Sequence, residues 1–117
     1  MEYTHVMVAA HEIALIVAAW QKGIRNFDVE KAFRAIRHEQ TTPGRPFPEA
    51  GGDSWVGNYA LEAYMNYGYV PVEDGVHKGG ASLTLECAYD DWCVAQLAKA
   101  LGRAGDYEYF MKRSRNY

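Results

Sequence analysis

The stretch Leu85-Glu86-Cys87-Ala88-Tyr89-Asp90-Asp91-Trp92-Cys93-Val94-Ala95, LECAYDDWCVA, opens a run without glycine or proline that lasts to Leu101. Absence of both breakers over that length favours a helix. On a helical wheel Asp90 falls about 40° from Glu86, and Cys93, Val94, Leu97 and Leu101 share their stripe. The wet stripe carries Gln96, Lys99 and Arg103. Leu85 and Trp92 extend that second side toward the N-terminus with apolar surface, so they are expected to be covered. Asp91, about 140° round, sits apart from both stripes.

Glu86 and Asp90 thus read as core-facing acids near a helix N-terminus, where the backbone dipole favours negative charge. An unpaired buried carboxylate is costly, so partners are required. Arg25, Arg34, Arg37 and tyrosine hydroxyls are the candidates. Two readings stand: a structural ion pair or tyrosine hydrogen bond, which ordinary buried networks favour, or acids serving a sugar site.

The 117 residues allow one domain or a piece of a larger one. Apolar residues make up 49% and charged ones 23%, as in a folded globular chain. A net charge of −3 lacks the basic face of a nucleic-acid binder. Nine Tyr, three Trp and four Phe supply rings that pack cores or line ligand sites. Cys87 and Cys93 lie about 240° apart on one helix, so they neither pair nor share a metal and read as small buried apolar residues. Val6 to Trp20 is too short and too polar to span a bilayer, and Met1-Glu2-Tyr3 lacks the basic start of a signal peptide.

Five helices are expected, at about 3–22, 28–38, 56–66, 83–101 and 106–116, and no strand signal rivals them. The first is apolar nearly all round, with an alanine stripe at Ala10, Ala14 and Ala18, and belongs in a large core. Gly23, Gly68 and Gly102 are helix stops. Asn26 or Asp28, Ser82 or Thr84, and Asp106 are the expected caps. Between them lie two loops. Pro43, Pro46, Pro48, Gly44, Gly51 and Gly52 argue against a regular element from Thr41 to Ser54.

His11 reads as a satisfied core histidine rather than a ligand, because His5, His38 and His77 stand at no metal-binding spacing to it. No serine or cysteine has a recognisable base partner, and GGDSWVG (Gly51 to Gly57) lacks the lysine and preceding strand of a phosphate loop. Trp55, Tyr67 and Tyr69 read as packing residues, with sugar stacking as the alternative.

Ser82 to Tyr117, SLTLECAYDDWCVAQLAKALGRAGDYEYFMKRSRNY, closely resembles a segment of the glycoside hydrolase family 92 α-mannosidases. Ser82, Thr84, Leu85, Glu86, Ala88, Tyr89, Asp90 and Asp91 carry the match. YMNYGYVP (Tyr64 to Pro71) resembles the family's Tyr-Gly-Tyr-Val-Pro turn, and KGIRNFDVEKAFRAIR (Lys22 to Arg37) resembles its KGI…FD…KA stretch. His11 matches an Asp-His position, with Ala10 where the Asp often stands. Leu83 replaces a usual basic residue and Cys87 a usual Tyr. The loop from Thr41 to Ser54 fits poorly.

The resemblance implies an all-α fold of antiparallel helix pairs, forming part of an (α/α)6 toroid with long irregular loops, as one partial segment over residues 1–117. It implies inverting, calcium-dependent hydrolysis of terminal α-mannosides in glycans. The family's catalytic acid lies in a Glu-Gly-Asn-type motif and its base in an Asn-Asp-Asp-type motif, and neither motif occurs here. No catalytic residue or calcium ligand is therefore assigned to this chain, and no activity is expected from it alone. Glu86, Asp90, Asp91 and His11 are the candidates for holding or supporting a sugar site. Family members are generally exported. The expected partners are α-mannoside glycans, with no nucleic acid and no membrane. Apolar helix faces left open by so short a chain point to self-association. The rival reading is a non-enzymatic helical interaction or oligomerisation module.

Overall fold

A computed structural model describes residues 10–50, 55–74 and 79–117. The 3–9 part of the expected first helix, His5, His77 and Gly51 to Ser54 lie outside them. Five helices follow in order: α1 His11–Gln21, α2 Val29–Glu39, α3 Leu61–Tyr67, α4 Gly80–Ala100 and α5 Ala104–Arg113. The fold is all-α, apart from an antiparallel pair of two-residue strands, β1 Arg45–Pro46 and β2 Trp55–Val56. No helix among the described residues is long and apolar enough to cross a membrane.

The run containing LECAYDDWCVA is the interior of α4, and the other helices pack around it. Gly102, at φ +70, ends α4 in the left-handed region that a side chain resists, and the chain turns back into α5. The Gln96 amide donates to Met111 Sδ at 3.6 Å, and the Lys99 ammonium lies 5.6 Å from the centre of the Tyr107 ring. Residue numbers rise on one helix as they fall on the other, so α4 and α5 are antiparallel. α2 lies alongside, tied by Arg103 to Glu30 at one end and by the 2.8 Å Arg37–Asp106 ion pair further along.

Two apolar clusters divide α4. Its C-terminal half brings Cys93, Val94, Leu97 and Ala98 against Ile13, Val17, Phe33, Ile36 and Phe110. Its N-terminal half brings Leu83 and Cys87 against Ala60, Leu61, Tyr64 and Val70. Each large aliphatic or aromatic side chain so buried contributes roughly 1.5–3 kcal/mol. Both cysteines are free and buried, filling space as small apolar residues.

Several local expectations are corrected. α3 starts at Leu61 rather than near Val56, because Trp55 and Val56 pair with β1 and Gly57 breaks the path at φ +82. Among its described residues the proline-rich stretch holds β1 and a 3-10 turn, Pro48–Ala50, both too short for the prolines to disrupt. α4 starts three residues early, with Gly79 at its N-cap. Ser82 and Thr84 do not cap it; their hydroxyls donate back to the carbonyls of Gly79 and Gly80. Asp106 lies inside the first turn of α5 and accepts from Arg37 instead of capping. Asp28 does cap α2, accepting from the Lys31 N–H at 2.9 Å. Leu85 and Trp92, expected to be covered, stand exposed.

Gly80 marks the tightest approach. A Cβ there would meet the Val70 carbonyl oxygen at 2.4 Å and that of Pro71 at 2.8 Å. Gly80→Ala should therefore lower stability by about 1–3 kcal/mol from overpacking, because the first residue of α4 gains little of the helix-interior propensity that would offset it. A urea unfolding midpoint below that of the wild type is the expected reading.

Candidate functional site

Asp90 and Asp91 lie where the two apolar clusters meet, and both are fully buried. Asp91 is not set apart from the core, as its wheel position suggested. α3 and α5 cover that side of α4 and enclose it. Glu86, one turn earlier, is half-buried.

Asp91 is held by the last helix. The Arg113 Nε donates to Asp91 Oδ2 at 2.9 Å. Arg113 Nη1 donates to the Gln40 carbonyl and to the Tyr109 hydroxyl, each at 2.9 Å. The Tyr64 hydroxyl lies 3.0 Å from Asp91 Oδ2 and 2.9 Å from the Arg113 carbonyl oxygen. Both are acceptors, so its single proton serves one at a time. The guanidinium also sits 5.2 Å from the centres of the Tyr64 and Tyr109 rings. One arginine thus joins the end of α2 to α3, α4 and α5.

Asp90 faces the other way. Its Oδ2 accepts the Ala10 N–H at 3.0 Å, fastening the start of α1, and lies 3.4 Å from Gln40 Nε2. Asp90 Oδ1, Asp91 Oδ1, Gln40 Oε1 and Arg113 Nη2 are buried with no hydrogen-bond partner among the described residues. Burial pushes the Asp90 carboxyl up to about 7; the Ala10 N–H opposes this, while Glu86, Asp91 and Glu12 reinforce it. Burial also pushes Asp91 up, with Arg113 and Tyr64 pulling back. Burial opposes the charge of Arg113, but Asp91 and Tyr109 more than offset it. Glu39, on α2, is raised to about 7 by burial and then by Glu12.

The remaining candidates are not brought to this point. His11 is exposed as the first residue of α1, so the core-histidine reading is overturned; the buried face of α1 carries Ile13 and Val17 instead, preceded by the buried N-cap Ala10. Tyr67 and Tyr69 are exposed, their ring centres 6.2 Å apart, and do not pack into the core. Trp55 is half-buried beside Tyr59. Among the proposed arginines, Arg37 pairs with Asp106, Arg25 stacks 3.7 Å above Trp20 and Arg34 is exposed. Tyr64 is one of the tyrosine hydroxyls expected as partners, though it serves Asp91 rather than Glu86 or Asp90, while Arg113 and Gln40 were not among the candidates. Arg113 had a signal: it and Asp91 both stand eleven residues from Gly102, so a hairpin folded there brings them level.

Two outcomes follow from this joint. Arg113→Met leaves the Asp91 charge buried without its cation and should cost about 3–5 kcal/mol by chemical denaturation. For Asp90, a pKa raised from 3.8 to about 7 means the folded chain binds the proton more tightly than the unfolded one. Its contribution is full below the ordinary carboxylate pKa and is lost as pH rises through 7. Asp90→Asn should flatten the fall in stability over that window, leaving a residual slope from Glu39 and Asp91.

The family model described as the glycosyl hydrolase family 92 catalytic domain matches residues 1–117. A family GH92 inverting mannosidase of Bacteroides thetaiotaomicron is similar in structure, with a TM-score of 0.81 and 31% identity over 98% of this chain and 14% of that one. A GH92 α-mannosidase of the same organism gives 0.76 and 34% over 96% of this chain and 13% of that one. An uncharacterised secreted glycosidase of Arthroderma benhamiae is 29% identical over 110 residues, 88% of this chain and 13% of its own length. The chain thus spans about one seventh of these relatives, and it belongs to the glycosyl hydrolase family 92 catalytic-domain family.

Proposed function

We propose that this chain is one sector of the (α/α)6 ring of a family 92 α-mannosidase, supplying packed helices rather than the reacting carboxyls. The observation that carries this reading is an end-to-end match to a small share of a mannosidase, in a chain whose Asp90 and Asp91 are sealed inside its frame. The exposed apolar side chains support it: Leu15, Leu85, Tyr89 and Trp92 stand open to solvent.

In the whole enzyme, water activated by a base attacks the anomeric carbon of a terminal α-mannoside while an acid protonates the leaving sugar, inverting the centre. Such carboxyls stand about 6.5–9.5 Å apart on opposite sides of the sugar. Asp90 and Asp91 are chain neighbours closed off from solvent, and Glu86 lies one turn away on the same helix. None of these pairs can straddle a substrate. Their role is to hold the frame, with Asp90 fixing the entry to α1 beside the exposed His11. Calcium belongs to this reading as a property of the whole enzyme. Among the described residues no three His, Cys, Asp or Glu side chains converge to hold a metal ion, so these residues do not fit it.

The purified chain should release no mannose from an aryl α-mannoside with calcium present. Turnover above a no-protein blank, abolished by a chelator, would overturn the proposal.

A further inference from the structure

We propose that α1 is a proton-operated latch: it lies against α4 and the end of α2 while the carboxyls beneath its N-terminal turn hold protons, and it lifts when they ionise. α1 is fastened unlike the other helices. α2, α4 and α5 are cross-braced by cations, through Arg113 to Asp91, Arg37 to Asp106 and Arg103 to Glu30, and α3 joins them through the Tyr64 hydroxyl. Among the described residues, the polar ties from α1 to other helices run through acids instead. The Ala10 N–H, at its N-cap, donates to Asp90 Oδ2 at 3.0 Å. Glu12, in its first turn, shares a hydrogen bond with Glu39 of α2. Ionised carboxylates only accept, so that bond exists only with a proton between the two. The apolar hold is narrow: α1 fully buries Ile13 and Val17, while Leu15 stands 71% exposed.

Asp90 is fully buried, and neither its Oδ1 nor Gln40 Oε1 meets a donor among the described residues. A proton on Asp90 supplies a donor and removes the charge that burial penalises. The acids that face it favour that proton: Glu12 from α1, and Glu86 and Asp91 from α4. The Cys87 and Cys93 thiols of α4 are kept neutral by burial, and the Tyr89 hydroxyl is raised too. α2 brings the Gln40 amide rather than a cation. Arg113 of α5 is engaged by Asp91, the Gln40 carbonyl and Tyr109, and Tyr64 of α3 is turned to Asp91. Opposing the proton is the Ala10 N–H, at the positive end of α1; His11 beside it is exposed. Around Glu39, Arg37 is paired with Asp106 and His38 Nδ1 lies 3.1 Å from Thr42 Oγ1. Lifting α1 returns Asp90 and Glu39 to water and to their ordinary values. The docked form binds both protons more tightly, so docking weakens by about tenfold per pH unit for each proton as pH rises from the ordinary carboxylate range, levelling above about 7.

The test is native-state hydrogen exchange of the 117-residue chain, followed amide by amide by NMR in low urea from about pH 5 to about pH 8. Amides from Ala14 to Val17 should be less protected than those from Val94 to Ala98 and should respond little to urea, because α1 opens while α4 stays packed. Their protection, corrected for the intrinsic exchange rate, should fall with pH to about 7 and then level. Asp90→Asn with Glu39→Gln should make it flat. If that pair does not fold, Glu39→Gln alone should halve the slope. The proposal is overturned if α1 opens only together with α4, at the same urea dependence, or if the wild-type α1 protection is flat. It is also overturned if the slope survives the substitutions, or if the Asp90 carboxyl carbon titrates in the ordinary carboxylate range.

Discussion

The buried ion pair between Asp91 and Arg113 is the constraint around which the other contacts arrange themselves. A carboxylate sealed inside a protein has lost its hydration, and attraction to a cation repays that only when the geometry is good and the remaining atoms are bonded. Here the cation comes from the helix that turns back at Gly102. To stay in place it needs acceptors of its own, and the Gln40 carbonyl and Tyr109 hydroxyl supply them. The Tyr64 hydroxyl adds a contact from α3, while Asp91 Oδ1 and Arg113 Nη2 stay without a hydrogen-bond partner among the described residues. Removing any one of these leaves another charge or dipole stranded in an apolar interior.

The position of this joint explains the division of the core. α4 is too long for one cluster of neighbours, and its two halves face different partners. At the seam, apolar side chains from both sides run out, and polar groups bond across the gap. Asp90 performs the same service toward α1 and the end of α2, at the cost of a carboxyl that binds its proton far more tightly than an exposed one does. Specificity is the gain we assign to this design. Apolar packing tolerates sliding along a helix, whereas directed hydrogen bonds from Arg113 and Ala10 set the register of α5 and α1 on α4.

Inside and outside are partly inverted in this chain. Charged groups are locked in the centre while Leu15, Leu85, Tyr89 and Trp92 face water. A self-contained protein of this size uses such residues to build its core, because it has little apolar surface to spare. In the ring-sector reading proposed above, those side chains meet neighbouring helices instead.

Helix content, the helix stops and the family were legible in the chain itself. Each depends on neighbours in sequence: a long run without breakers, glycines where a backbone must turn left-handed, and a motif block from Ser82 to Trp92. The inward placement of Asp90 was legible too, from its stripe on α4. The partner of Asp91 was decided only by tertiary structure, because a wheel describes one helix and says nothing of what surrounds it. Asp91 looked peripheral and is sealed; His11 looked internal and is exposed; Ser82 and Thr84 looked like caps and bond backwards from within the helix. For Asp91 the reason is packing by α3 and α5 from far along the chain; for Ser82 and Thr84 it is the earlier start of α4 at Gly80, which places both inside the helix.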